Sequence, residues 1–82
     1  MDDKTQSMKT AKVKAWFDKV DQAKDFQYEM KKFNAKIETM TRDQDLDQIL
    51  CTLDLDITLI PIVIDESAKA GCGIISIDRR CT

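Results

Sequence analysis

Apolar side chains recur along the first half of the chain at steps of three and four residues: Val13, Trp16, Val20, Ala23, Phe26, Met30, Phe33, Ile37 and Met40, with Phe17 widening the stripe. This is the period of a helix with one dry face. No Gly or Pro interrupts residues 5–42, so the spacing predicts one long amphipathic helix over that range, on the order of 50 Å in length. Between Phe26 and Met40 the steps run four, three, four, three, the a/d seam of a coiled coil. Two consecutive threes between Val20 and Phe26 overwind such a seam or mark a change of partner. Asp21 offers the alternative of a break, as the cap of a second helix.

The pattern changes after residue 52. Leu53, Leu55, Ile57, Leu59 and Val63 alternate with Asp54, Asp56 and Thr58, and then Ile60, Ile62 and Ile64 make the opposite face apolar too. A period of two predicts a strand, and two dry faces predict that its end is sandwiched or lies at an interface. Pro61, lacking a donor, belongs at an edge or bulge of such a strand. Turn-forming residues follow around Ser67 to Gly71, and Gly73-Ile74-Ile75-Ser76-Ile77 resumes a strand, so residues 53–79 read as a β-hairpin. Between the halves, residues 43–52 form an acidic joint whose apolar positions 46, 49 and 50 suit a short helical turn. The expectation is a small α+β protein, a long N-terminal helix followed by a C-terminal hairpin, in a single domain spanning 1–82.

A hairpin about 20 Å long cannot cover so long a stripe. The surplus predicts either a fold-back near Asp21 or self-association, and the second is favoured because the break lacks the usual turn residues. The expected interface is the seam Phe26, Met30, Phe33, Ile37 and Met40 together with Ile60, Ile62 and Ile64. The partner is then another copy of the chain, a larger protein, or both. An ordinary intrachain core explains the same periodicity, since burial does not name what does the burying.

Composition narrows the function classes. Eighty-two residues with 43% apolar and 34% charged are too apolar and too periodic for a disordered chain. The net charge of −2 hides a division: residues 1–42 hold nine Lys and Arg42 against seven acids, and residues 43–82 hold three bases against eight. This is modest for nucleic-acid binding, and no lysine sits in a stacking arrangement with aromatics, so nucleic acid is not an expected partner. No apolar core follows the first residues, so no signal peptide is expected, and the run Ile57 to Ile64 is too short to span a bilayer. Three cysteines, Cys51, Cys72 and Cys81, with no His in the chain, predict reduced thiols and a cytoplasmic location rather than a disulfide framework or a Cys/His zinc site.

Little catalytic chemistry is visible. Without His, a Ser or Cys nucleophile lacks its usual base, and Ser7, Ser67 and Ser76 lie in no G-x-S-x-G turn. Cys72 is flanked by Gly71 and Gly73, which opens the backbone around the thiol, yet there is no C-x-x-C. Asp43, Asp45 and Asp47 begin like an EF-hand loop, but the sixth position is not Gly and the twelfth is Asp54 rather than a bidentate Glu. Asp65 and Glu66 are adjacent, so in a strand they face opposite ways. No enzyme activity, metal or cofactor is expected.

The end of the chain resembles, in layout, a ribosomally made precursor peptide. A small-residue junction at Ala70-Gly71 would separate a leader, 1–71, from a core, 72–82, holding Cys72, Ser76, Cys81 and Thr82. The resemblance implies that those four residues are cross-linked and that the chain is a substrate. That reading predicts a free tail after Gly71, whereas the hairpin predicts a strand and unpaired thiols, because a strand would hold Cys72 and Cys81 about 30 Å apart. The function read from the sequence is a non-enzymatic, oligomeric protein–protein interaction module, an adaptor, regulator or inhibitor-like chain, with the precursor as the alternative.

Overall fold

Residues 10–17 set the architecture. Ala11, Val13, Ala15 and Phe17 are fully buried, whereas Thr10, Lys12, Lys14 and Trp16 between them are not. That alternation is a strand with one dry face, and in the computed structural model, which describes residues 9–80 and side chains as far as Asp78, Thr10–Phe17 is strand β1. The chain continues as helix α1 (Val20–Lys32), strand β2 (Lys36–Asp43), strand β3 (Gln48–Asp56), a 3-10 turn (Ile57–Leu59), helix α2 (Ile60–Ala70) and strand β4 (Ile74–Arg80). The sheet order is β2-β3-β1-β4, with every neighbouring pair antiparallel. This β-α-β-β-α-β path, a split βαβ unit used twice, is the arrangement called ferredoxin-like.

The long N-terminal helix predicted over 5–42 is therefore not the structure, and with it goes the coiled coil. Its described part is a strand, a 13-residue helix and a second strand; residues 5–8 lie outside the described residues. Two features mimicked a helical stripe. Trp16 stands on the opposite side of β1 from Val13, so their spacing of three joins two different faces. In β2 a bulge between Ile37 and Thr39 inserts an extra residue, which puts Ile37 and Met40 on one side of the sheet, opposite Leu53 and Cys51. A bulged strand thus reproduces the three-residue step of a helix.

The hairpin predicted over 53–79 is also corrected. Leu53 and Leu55 belong to β3 and Ile74 to Ile77 to β4, but the two strands do not pair with each other; both pair with β1. The stretch between them, read as an apolar strand end, is helix α2. Pro61 sits in its first turn, where no backbone donor is needed. Ile60, Val63 and Ser67 recur at helical spacing and are buried. Gly71 closes the helix at φ +94°, with its N–H on the Ala68 carbonyl and that of Cys72 on the Ser67 carbonyl. A left-handed cap of this kind favours Gly, and here a Cβ would also stand 2.6 Å from Gln22 Nε2.

The acidic joint is not a helical turn. Asp43 ends β2, and its Oδ1 accepts the N–H groups of Asp45 and Leu46, the side-chain turn typical of Asp at a chain reversal. Asp47 follows at φ 54°, and β3 begins at Gln48, so residues 44–47 are the loop of the β2–β3 hairpin.

Both helices pack on one side of the sheet. The core between the layers holds Ala11, Val13, Ala15 and Phe17 of β1, Ala23, Phe26 and Met30 of α1, Ile49, Cys51, Leu53 and Leu55 of β3, and Ile60 and Val63 of α2. Phe17 and Phe26 meet across the layers with ring centroids 5.2 Å apart at 41°. No helix of the described residues is long and apolar enough to cross a membrane.

Candidate functional site

The eight residues singled out from the sequence do not form one surface. Phe26 and Met30 are fully buried between α1 and the sheet, and have no area left to offer another chain. Phe33, Ile37 and Met40 are partly buried against the same core. On α2, Ile60 is buried, Ile62 half-buried, and Ile64 is 46% exposed on the far side of the helix. The described residues of the precursor-like core, through Asp78, lie in the α2–β4 connection and in a strand paired with β1; Cys81 and Thr82 lie outside the described residues.

What the fold does create is an uncovered sheet face. Antiparallel register places its residues in rows. One row reads Thr41, Leu50, Trp16, Ile74 across β2, β3, β1 and β4; the next reads Thr39, Thr52, Lys14, Ser76; the third reads Lys36, Asp54, Lys12, Asp78. Strand pleating sends all of these away from the helices. Among the described residues no helix packs over them; the longer side chains of the face itself, Trp16 and Lys12, lie across β3, where Thr52 is buried.

Trp16 is fixed on this face. Its Nε1–H donates to Asp43 Oδ2 at 2.9 Å, although β1 and β2 are two strand spacings apart, about 9.6 Å. The indole must therefore lie across β3. This hydrogen bond is the main cause that holds the Asp43 carboxyl below its usual range, with the Leu46 and Asp45 amides adding to it. Ile74, 45% exposed, is Trp16's neighbour on the edge strand.

The charged row is also bound together. Lys12 Nζ reaches over β3 to Glu38 Oε1 at 2.8 Å. That contact, followed by a hydrogen bond shared with Asp54, draws the Glu38 carboxyl below its ordinary value. Glu38 is the residue at the β2 bulge, a device that disfavours edge-to-edge pairing on that side of the sheet.

The two described thiols, Cys51 and Cys72, do not form a reactive centre. Cys51 faces the helices, and burial pushes its pKa up to about 11. Cys72, half-buried, donates to the Ile74 carbonyl at 2.8 Å, and burial raises its pKa as well. Among the described residues no group of three His, Cys, Asp or Glu is placed to hold a metal ion. On the helix side, a shallow groove between α1 and α2 is lined by Asp25, Tyr28, Glu29, Glu66 and Lys69. Lys69 is occupied there by Asp65 at 3.2 Å and Glu66 at 3.7 Å.

The sequence matches no protein-family model, and no curated protein and no solved structure is significantly similar to it.

That Lys12, Lys14, Trp16, Leu50, Asp54, Ile74 and Asp78 share one face of a sheet is not among the sequence expectations. For Lys12, Lys14 and Trp16 the signal is the strict alternation Ala11, Val13, Ala15, Phe17, which marks the residues between as one exposed face of a strand; Leu50, Asp54, Ile74 and Asp78 join that face only through register.

Proposed function

We propose that this chain is a non-enzymatic protein–protein interaction module that self-associates through the uncovered face of its sheet. The observation that carries the reading is the one-sided layering: both helices pack on the same face, leaving a row of Trp16, Leu50 and Ile74 on the other. A tryptophan anchored by a hydrogen bond and flanked by aliphatic side chains makes a rigid anchor, and such anchors supply most of the energy of protein interfaces. The absence of His from the chain and the protonated, buried Cys51 support binding over catalysis. Reduced thiols fit a cytoplasmic setting.

The test is the solution mass of the intact chain at several concentrations under reducing conditions, by light scattering after size exclusion, beside Leu50→Asp. Leu50 is on the open face and outside the core, so the variant is expected to keep its circular dichroism and to become a monomer. A folded Leu50→Asp variant with the mass of the wild type would refute the reading, as would a wild-type chain that stays monomeric at every concentration.

A further inference from the structure

Two side chains of β1 cross β3 on the open face. Trp16 reaches Asp43 at one end, and Lys12 reaches Glu38 at the other, with its Nζ 2.8 Å from Oε1. Lys12 is paired in register with Asp54 of β3, and Asp54 in turn with Lys36 of β2, so the Lys12 strap passes beside the Asp54 carboxyl. Glu38, at the bulge of β2, shares a hydrogen bond with Asp54, and Asp54 Oδ1 is sealed from solvent. An ionised carboxylate only accepts hydrogen bonds. A hydrogen bond between two carboxyl groups therefore holds a proton, because like charges so close disfavour ionising both.

The surroundings decide which of the two keeps it. Glu38 has the Lys12 ammonium in contact and Lys36 nearby, and both favour its charged form. Asp54 has one oxygen buried against the sheet, where a charge costs the solvation it gives up. The proton therefore belongs on Asp54. The remaining charges around it balance: Lys9 and Lys36 line the cleft at this end of the sheet with Asp56, and Asp78 of β4 stands on the far side of Lys12. Asp56 is engaged by the N–H and hydroxyl of Thr58, and the connection after α1 contributes only the uncharged Asn34.

We propose that Glu38 and Asp54 share a single proton, carried by Asp54, and that its loss to solvent as pH rises is a switch that releases the Lys12–Glu38 strap from across β3. With the proton in place, the Asp54 O–H donates to Glu38, whose charge is met by Lys12, and the three groups are neutral together. Without it, Asp54 and Glu38 repel, and Lys12 is drawn back to Asp54, its direct neighbour on β3. Strand β2 pairs with β3 alone among the described residues, and its register is already shifted at Glu38. The edge of the sheet at β2 is thus the part that loosens. The switch is internal to one chain and independent of the association proposed above.

Carboxyl-carbon NMR of the intact chain, isotope-labelled on Asp and Glu, tests this without a substitution. The Asp54 midpoint is expected above the ordinary 3.8 of an Asp, and the Glu38 carbon, already charged, is expected to shift at the same pH. An Asp54 midpoint at or below 3.8 overturns the proposal. In Glu38→Gln the second carboxylate is gone and an amide can donate to charged Asp54, so the Asp54 midpoint is expected to fall; an unchanged midpoint means that burial alone holds the proton, and the shared pair is wrong. The effect on the fold is read by urea unfolding at two pH values that bracket the Asp54 midpoint, both below 9.0, the ordinary value of a thiol. A carboxyl whose pKa is raised in the folded chain contributes stability that is full below 3.8 and is lost as pH rises through the folded midpoint. The wild-type urea midpoint is therefore expected to fall between the two pH values. Asp54→Asn keeps a donor to Glu38 and does not titrate, so the fall is expected to shrink in it; an equal fall in both proteins overturns the switch. Glu38→Gln, judged by the same comparison, takes its place if Asp54→Asn fails to fold.

Discussion

Phe26→Ala separates the fold described above from a helix seam most directly. Phe26 is fully buried and its ring lies 5.2 Å from that of Phe17, in the layer where α1 meets the middle of the sheet. Truncating a buried Phe to Ala costs about 3–5 kcal/mol, part of it transfer and part the cavity left behind. A chain of 82 residues has a total stability of about 4–12 kcal/mol, so this one side chain accounts for a large share. Urea unfolding followed by circular dichroism, at fixed protein concentration because association shifts apparent stability, is the assay. With a slope of about 1 kcal/mol per M for so small a chain, the midpoint is expected to fall by roughly 3 M, and the variant is expected to be partly unfolded without denaturant. A loss below about 1 kcal/mol, within reach of surface substitutions, would refute the burial. A variant that stayed fully folded and merely lost mass would restore the intermolecular seam.

Two further expectations concern single groups. Trp16→Phe removes the Nε1–H from Asp43, so the Asp43 pKa, followed by carboxyl-carbon NMR, is expected to rise toward 3.8; because the depressed pKa favours the folded state only while the carboxylate is charged, that contribution is present above pH 3.8 and is lost as pH falls through the folded value. An unchanged Asp43 titration would refute the contact. Cys51, with its thiol raised from 9.0 to about 11 by burial, contributes stability below pH 9.0 that is lost as pH climbs toward about 11; at pH 8, peptide-resolved iodoacetamide labelling is expected to modify the half-buried Cys72 before Cys51, and equal rates would refute the placement.

How much of this was legible in the chain differs from element to element. The amphipathic character of residues 20–32, the alternation at Leu53 and Leu55, and the strand-like run from Ile74 are local patterns that survive in α1, β3 and β4. The boundaries failed where a local pattern admitted two periods. Ile37 and Met40 share a face in a helix and also in a strand with a bulge between them, and only pairing with β3 decides which. Residues 60–64 are rich in β-branched side chains, yet Pro61 in the first turn and Gly71 after the last are helix punctuation. That signal was present and was outweighed by the apparent continuation of the strand before it.

The candidate site was less visible than the core, for a related reason. A sequence marks which residues are dry, and a strand with one dry face also marks its wet face. It does not mark which wet residues stand side by side. Lys36, Asp54, Lys12 and Asp78 come from four strands and are unremarked charges until register brings them into one row. Trp16, placed by its spacing on the dry stripe of a helix, is instead turned outward on a strand and tied to Asp43 across an intervening strand.

By itself, then, the amino-acid sequence determined the composition of a small mixed α/β chain, the residues able to form a core, the turn chemistry of Asp43 and Gly71, and the lack of His-based chemistry. Those are properties of single residues and of neighbours within a few positions. Tertiary structure alone decided the strand order, the bulge that places Met40 beneath the helices, the burial of Cys51, and the open face with its alternating charges. Each of these depends on pairing between segments far apart in the chain, where one residue of register exchanges the two faces of a strand.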